Sequence, residues 1–378
     1  MVQSELQRIL LEKDWKRLRE KAAEDRGIVR QLMSRIYVKE GLLFWRAIEG
    51  LGIAAQTIER IQPGYAVELV RRYFWSLNEE SGGTAWNAAE AIGSIMAHCP
   101  EECGHFNWMY SKLLDDESLN EGTLWGLAHI ACVKPDLVLP LAEVVLPFLN
   151  SENPELSGRA ALVQALVRDC KDVPGIRAKE QPKGAMLELY FNNQIQLYSV
   201  AELSQPQGIF YWQEYIEASN WRWSLTAAAN NQGVIWVGLG KLENEKIQLE
   251  NYLNRWYPHV FLLKRRAPNE EVLSQLKAYL EGRRREFTLP LQPKGTDFQL
   301  KVWEELSKIP YGATCSYGEI AQKVGNPKGQ RAIGMANHNN PIAVIVPCHR
   351  VVGKNGALTG YAGGIDVKEH LLELEKRR

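Results

Sequence analysis

The chain has 378 residues, 45% hydrophobic and 24% charged, with 45 Lys plus Arg against 45 Asp plus Glu; the length predicts two or three cores, and the composition excludes a disordered or collagen-like chain. No apolar run reaches the ~18 residues that span a bilayer, and Met1 to Asp14 mixes acids and bases without a signal core, so no membrane partner and a cytoplasmic location are expected. Cys99, Cys103, Cys132, Cys170, Cys315 and Cys348 are too scattered for a disulfide scaffold and read as thiols.

The first half reads as a repeat array. Phe44 to Gly52 (FWRAIEGLG) returns as Ala85 to Gly93 (AWNAAEAIG), more weakly as Leu124 to Cys132 (LWGLAHIAC), and in degenerate form from Gly158 to Leu166. Small residues at helical spacing let helices approach closely, and a period of about 40 residues predicts an all-α, HEAT-like solenoid over 1–172. Pro100, Pro135 and Pro154 fall where helices begin or end. Thirteen acids against two bases between Glu79 and Glu155 repel phosphate, whereas residues before Glu79 are mildly basic; such an array suits a protein partner. His98, Cys99, Cys103 and His105 form a metal-like cluster, but Cys-x3-Cys lacks a second pair at zinc-site distance, so no metal is expected.

Residues 173–208 are read as a linker and an unassigned segment. Pro174, Gly175, Pro182 and Gly184 punctuate charges without an apolar period, and β-like pieces lie between Met186 and Phe210. Residues 209–292 read as mixed α/β. Trp221 to Ala229 and Val234 to Leu239 flank an Asn-Gly-containing turn and predict a hairpin. Helical periods run from Glu243 to Trp256 and from Asn269 to Arg283, with a short strand at Val260 to Leu263 between them.

Residues 293–378 carry twelve bases against eight acids, so contacts to nucleic acid belong here. A polar cap at Thr314 to Ser316 starts a short helix, Gly325-Asn326-Pro327 breaks it, and a second helix runs from about Lys328 to His338, which is helix-turn-helix spacing. A buried strand is expected from Ile342 to Val346, ending in Pro347-Cys348-His349-Arg350. Along a strand neighbours point to opposite faces, so His349 serves Cys348 only if the chain turns at Pro347 or a water bridges them.

Pro347-Cys348-His349-Arg350-Val351, preceded by Arg331-Ala332-Ile333-Gly334 and Asn340-Pro341 and followed by Gly360-Tyr361-Ala362-Gly363-Gly364, resembles the methylated-DNA–protein-cysteine methyltransferases. Gly295 to Gln299, Val302-Trp303, Ile309 to Gly312 and Ser316 to Glu319 agree too, so the likeness runs from about Trp221 to Glu375 and is dense after Gly295. It implies a ribonuclease H-like α/β subdomain over 209–292 and a winged helix-turn-helix alkyltransferase domain over 293–378. It also implies a single-turnover repair enzyme without a cofactor: an O6-alkylguanine, or an O4-alkylthymine, is flipped from double-stranded DNA and its alkyl group passes to a thiolate.

By that resemblance Cys348 is the acceptor, His349 its water-mediated base, Glu375 on a closing helix (Val367 to Lys376) the orienting carboxylate, and Asn340 a hinge. Arg331 fills the gap left by the flipped base, with Gln330 and Ala332 beside it on a helix lying in the minor groove. Tyr317 crowds the phosphate and protonates the leaving guanine. Val351, Tyr361, Ala362 and Gly363 line the base pocket. The family's four-cysteine zinc domain has no counterpart in the repeats. Two rival readings stay open: a lesion sensor, disfavoured by the presence of Cys348, and a scaffold on which the repair domain is a passenger.

Overall fold

The computed structural model describes residues 5–37, 41–78, 87–168, 185–191, 194–240 and 242–376. The chain divides into two compact units, Met1–Gln207 and Gly208–Arg378.

The first unit opens with three short helices, α1 (Glu5–Glu12), α2 (Trp15–Glu24) and α3 (Gly27–Met33), which pack on the long α4 (Gly41–Ile61). After α5 (Tyr65–Asn78) come α6 (Ala88–His98), two short helices α7 (Pro100–Cys103) and α8 (Asn107–Ser111), α9 (Asn120–Val133), the single turn α10 (Ala142–Val145) and α11 (Pro154–Arg168). The described parts of the four self-similar copies fall on α4, α6, α9 and α11, and these helices pack one on the next in that order.

The small residues of the motif explain the close packing. A Cβ on Gly93 would lie 2.5 Å from the Cα of Gly126, and one on Gly52 2.6 Å from the Ser94 hydroxyl, so only glycine admits the neighbouring helix there. Trp45 and Trp125, equivalent positions of two copies, meet at 4.9 Å between ring centres. Trp86 lies outside the described residues.

Of the expected linker and unassigned segment, residues 173–184 lie outside the described residues. The segment after them, which the sequence left unassigned, is structured: β1 (Met186–Phe191) and β2 (Gln194–Ser199) pair antiparallel, and α12 (Val200–Ser204) follows. Leu187 and Leu203 seat against Gly158 of α11, and the Tyr190 carbonyl accepts from the Trp125 indole at 3.1 Å. This hairpin therefore belongs to the helical unit.

The second unit contains a four-stranded sheet, order β5-β4-β3-β6, of β3 (Gln207–Ala218), β4 (Trp221–Asn230), β5 (Gly233–Leu239) and β6 (Val260–Lys264), with α13 (Leu242–Trp256) and α14 (Glu270–Leu280). The predicted hairpin is β4–β5; Asn230 Oδ1 closes its turn by accepting from the amides of Gln232 and Gly233. Ser219 (φ 52°) and Asn220 (φ 61°) make a second tight hairpin between β3 and β4, of the paired left-handed kind that suits strand twist. Gly233 sits at φ 151°, where a Cβ would meet the Pro290 carbonyl at 2.3 Å.

Then follow α15 (Asp297–Ser307), β7 (Cys315–Ser316), α16 (Tyr317–Lys323), α17 (Gln330–His338), β8 (Val351–Val352) and α18 (Ile365–Lys376). α16 and α17 form the expected helix–turn–helix contact, and β7 pairs parallel with β8. The edge of β5 positions both approaches to the site: Val234 exchanges backbone hydrogen bonds with Pro290 and Gln292, and Val237 with Pro341 and Ala343.

One element differs from expectation. Ile342 to Val346 is not a strand but a tight turn, with isolated bridges at Ile342 and Ala343, Val346 N donating to Ile342 O at 2.9 Å and Val344 at φ 71°. The apolar run is buried by core packing instead of sheet pairing. Pro341 and Pro347 deny it amide donors at both ends, and a β-branched residue is held in the left-handed region by its surroundings.

Candidate active site

Cys348 begins a 3-10 turn, Cys348–Arg350, directly after Pro347. About 120° separates successive side chains in such a turn, so thiol and imidazole leave one turn at an angle that a strand would not allow. The thiol is buried and free. Its Sγ accepts from Asn340 Nδ2 at 3.1 Å, and the same amide donates to Val346 O at 2.9 Å while its Oδ1 accepts from Ile342 N at 3.0 Å. Asn340 thus latches the end of α17 to the cysteine turn.

Burial pushes the Cys348 thiol pKa up, opposed by the Asn340 hydrogen bond and the charge of Lys368. Lys368, from α18, is fully buried and donates to Val351 O at 2.6 Å and Thr359 O at 3.1 Å. Burial lowers its own pKa.

The imidazole of His349 is wholly buried, with Nε2 at 2.9 Å from Glu375 Oε1. That carboxylate collects donors. Arg350 Nε reaches both oxygens at 3.1 and 3.0 Å and Nη2 reaches Oε1 at 2.9 Å; Gly312 N donates at 2.9 Å and the Tyr279 hydroxyl donates as well. Burial pushes the Glu375 pKa up, but hydrogen bonds from His349, Arg350 and Tyr279 outweigh it and hold it at about 2.

An ionised carboxylate only accepts, so Nε2 of His349 carries its hydrogen. In the neutral ring Nδ1 is then the lone-pair nitrogen, and it is buried with no partner among the described residues. Burial also lowers the imidazole pKa, against the pull of Glu375, which keeps that lone pair free at neutral pH.

Cys348 and Asn340 open onto a cavity of about 730 Å³, together with Tyr361, Ala362, Gly363 and Glu245. Gly363 packs so tightly on β5 that a Cβ would sit 2.1 Å from Leu239 O. The Tyr361 hydroxyl is buried without a partner among the described residues. Glu245 accepts from Thr226 at 2.6 Å, and burial raises its pKa to about 7. Val351 is not brought to the cavity: it is fully buried on β8, its carbonyl taken by Lys368.

Outside the cavity, Gln330, Arg331 and Ala332 form the exposed first turn of α17. Tyr317 opens α16 behind the Ser316–Glu319 capping box, its hydroxyl 3.3 Å from Thr359 O. A Cβ added at Gly334 would lie 3.9 Å from the Tyr317 ring, an ordinary van der Waals contact. Among the described residues, which include His98, Cys99, Cys103 and His105, no three His, Cys, Asp or Glu side chains are placed to share an ion. Burial pushes the Cys103 thiol up to about 12.

Sequence reasoning missed Arg350, Tyr279, Lys368 and Glu245. Arg350 had a signal, standing next to His349. Tyr279 had none, because it lies about 70 residues away and reaches Glu375 only through the packing of α14.

The family profile described as "6-O-methylguanine DNA methyltransferase, DNA binding domain" matches residues 297–377. The methylated-DNA–protein-cysteine methyltransferase of Methanosarcina acetivorans is 59% identical over 28% of this chain and 67% of its own length. The inducible enzyme of that name from Bacillus subtilis is 42% identical over 41% of this chain and 86% of its own. Among solved structures, the Mycobacterium tuberculosis O6-methylguanine methyltransferase is 40% identical, covering 45% of this chain and 94% of that one with a TM-score of 0.36. An OGT of the same organism in complex with DNA is 39% identical, covering 44% and 92%, also with a TM-score of 0.36.

Proposed function

The chain belongs to the methylated-DNA–protein-cysteine methyltransferases, and from that premise we propose how its own residues carry the reaction. It repairs DNA by moving an alkyl group from O6-alkylguanine to a cysteine of its own, once. We assign Cys348 as that cysteine. The observation that carries the assignment is the pairing of a cavity-facing thiol with an imidazole whose Nε2 is tied to a carboxylate and whose Nδ1 is unengaged.

His349 Nδ1 takes the thiol proton through one water, and Glu375 stabilises the imidazolium that forms. The sulfur attacks the alkyl carbon in line, an S–C bond forms, and the C–O6 pair stays on guanine, which takes up a proton. The net change is one proton from thiol to base and one alkyl group from base to sulfur. Asn340 and Lys368 favour the thiolate as it forms, in a buried place where such contacts act strongly. Tyr361, Ala362 and Gly363 receive the flipped base, whose rotation costs a few kcal/mol. Arg331, on the exposed start of α17, replaces the lost stacking, flanked by Gln330 and Ala332, while Tyr317 meets the phosphate and returns a proton to guanine. O4-alkylthymine presents the same leaving group.

Three finer readings of the fold accompany this assignment. The successive packing of α4, α6, α9 and α11 at glycine positions supports a HEAT-like array. The sheet with α13 and α14 supports a ribonuclease H-like subdomain, and α16–α17 with β7–β8 a winged helix-turn-helix. A reducing, cytoplasmic setting suits a free acceptor thiol.

The test is incubation with a duplex carrying O6-methylguanine, followed by peptide mass analysis. One methyl group appears on the peptide containing Cys348 and is absent from Cys348→Ala. A methyl group retained in Cys348→Ala, or none in the native chain, overturns the assignment.

A further inference from the structure

The helical unit holds a cavity of about 590 Å³ between α3, the turn that follows it, and α5. Three guanidiniums, Arg26, Arg30 and Arg72, and three phenols, Tyr37, Tyr65 and Tyr73, line it. Arg71, next in sequence to Arg72, pairs with Glu68 and Arg17 pairs with Glu20. Arg26, Arg30 and Arg72 make no ion pair among the described residues. Three cations around one hollow repel each other, and their convergence points to an anion.

The floor adds an independent observation. Tyr73 is 5% exposed, and its hydroxyl is buried with no hydrogen-bond partner among the described residues. An unmade hydrogen bond on a buried hydroxyl costs about 1–3 kcal/mol, so a polar ligand atom is the natural partner. Tyr37 and Tyr65 lie close enough to Tyr73, and Arg72 and Arg26 to Tyr65, to act on each other electrostatically. The charges therefore address the same volume as the rings.

The local charge agrees. Residues 1–78 carry fourteen Lys and Arg against ten Asp and Glu, whereas 79–155 carry two against thirteen. A bare phosphate would leave most of this hollow empty, and an apolar ligand would waste three arginines. A flat ring joined to a phosphate uses both features: guanidiniums take the phosphate in a fork, tyrosines stack on the ring, and the volume is in the range of small-molecule sites.

We propose that this cavity binds a nucleotide unit, phosphate toward Arg26, Arg30 and Arg72 and base among Tyr37, Tyr65 and Tyr73, either as a free mononucleotide or as one residue of a single strand. The cavity is lined by residues of the first unit alone and does not depend on the chemistry of Cys348.

The full chain is titrated with deoxyguanosine monophosphate, a short single-stranded oligonucleotide, and inorganic phosphate, each against native protein, Arg72→Gln and Tyr73→Phe. Arg72 is exposed and Tyr73→Phe removes a single oxygen, so both variants fold. We expect both to weaken nucleotide binding by about tenfold while methyl transfer to Cys348 is unchanged. That loss with the mononucleotide identifies a free nucleotide as the ligand; that loss with the oligonucleotide alone identifies a strand. Binding of both nucleotide probes that neither variant alters, absence of binding, or inorganic phosphate binding as tightly as the nucleotide overturns the proposal.

Discussion

Glu375→Gln is the sharpest perturbation of the second unit. Its carboxylate is the shared acceptor for His349, Arg350, Gly312 and Tyr279. Glutamine keeps the shape but turns one acceptor into a donor, so one edge of the amide must face N–H or O–H groups, and the buried Arg350 loses its counter-ion. The size follows from linkage. A pKa of about 2 against the ordinary 4.5, at 1.36 kcal/mol per unit, corresponds to about 3 kcal/mol. Removing one member of a buried pair typically costs about 3–5 kcal/mol, so the two routes agree.

The sign is that of a depressed acid. The stabilisation is present above pH 4.5 and lost as pH falls toward 2, because the unfolded chain binds the proton first. Native-state hydrogen exchange of the α18 amides reads the opening free energy of this unit alone. Glu375→Gln is expected to lower it by about 3 kcal/mol at pH 7 and by much less near pH 3, and to slow methyl transfer because His349 loses its orienting partner. An equal loss at both pH values, or a loss below about 1 kcal/mol at pH 7, refutes the buried-pair account.

Glu245 behaves in the opposite sense. Its raised pKa of about 7 means that stability falls as pH rises from 4.5 to 7, so Glu245→Gln should flatten that slope and stabilise by up to about 3 kcal/mol at pH 8; an unchanged slope in urea titrations across this range counts against it. Arg331→Ala should slow repair in duplex DNA more than in single strands, since only the duplex must be opened and plugged; equal loss on both, in single-turnover assays, removes its role as a finger. Gly93→Ala places a methyl 2.5 Å from the Gly126 Cα, and overpacking of about 1–3 kcal/mol should follow, read as a lower thermal midpoint with methyl transfer retained; a midpoint unchanged from the native chain contradicts the close approach of α6 and α9.

Much of the site was legible in the residue string because its chemistry is contiguous. Pro347 to Val351 is a single motif, Asn340 stands eight residues before the thiol, and helix periods, caps and breakers marked α13, α14, α16 and α17, since amphipathic spacing and Ser or Thr before Glu are local facts. The repeat likewise showed itself through glycines whose purpose, as Gly93 against Gly126 demonstrates, is to let backbones meet.

Other features depend on partners distant in sequence. The apolar run Ile342 to Val346 reads as a strand, yet its edge is claimed by β5 and its core by neighbouring side chains, so it turns. Arg350 and Tyr279 meet Glu375 only when α14, α18 and the cysteine turn pack together, and the lone pair of His349 Nδ1 is set by which oxygen Nε2 finds. Hydrogen bonds between residues so far apart are short-ranged and directional; the order of residues names the candidates, and only their three-dimensional convergence decides which atom faces which.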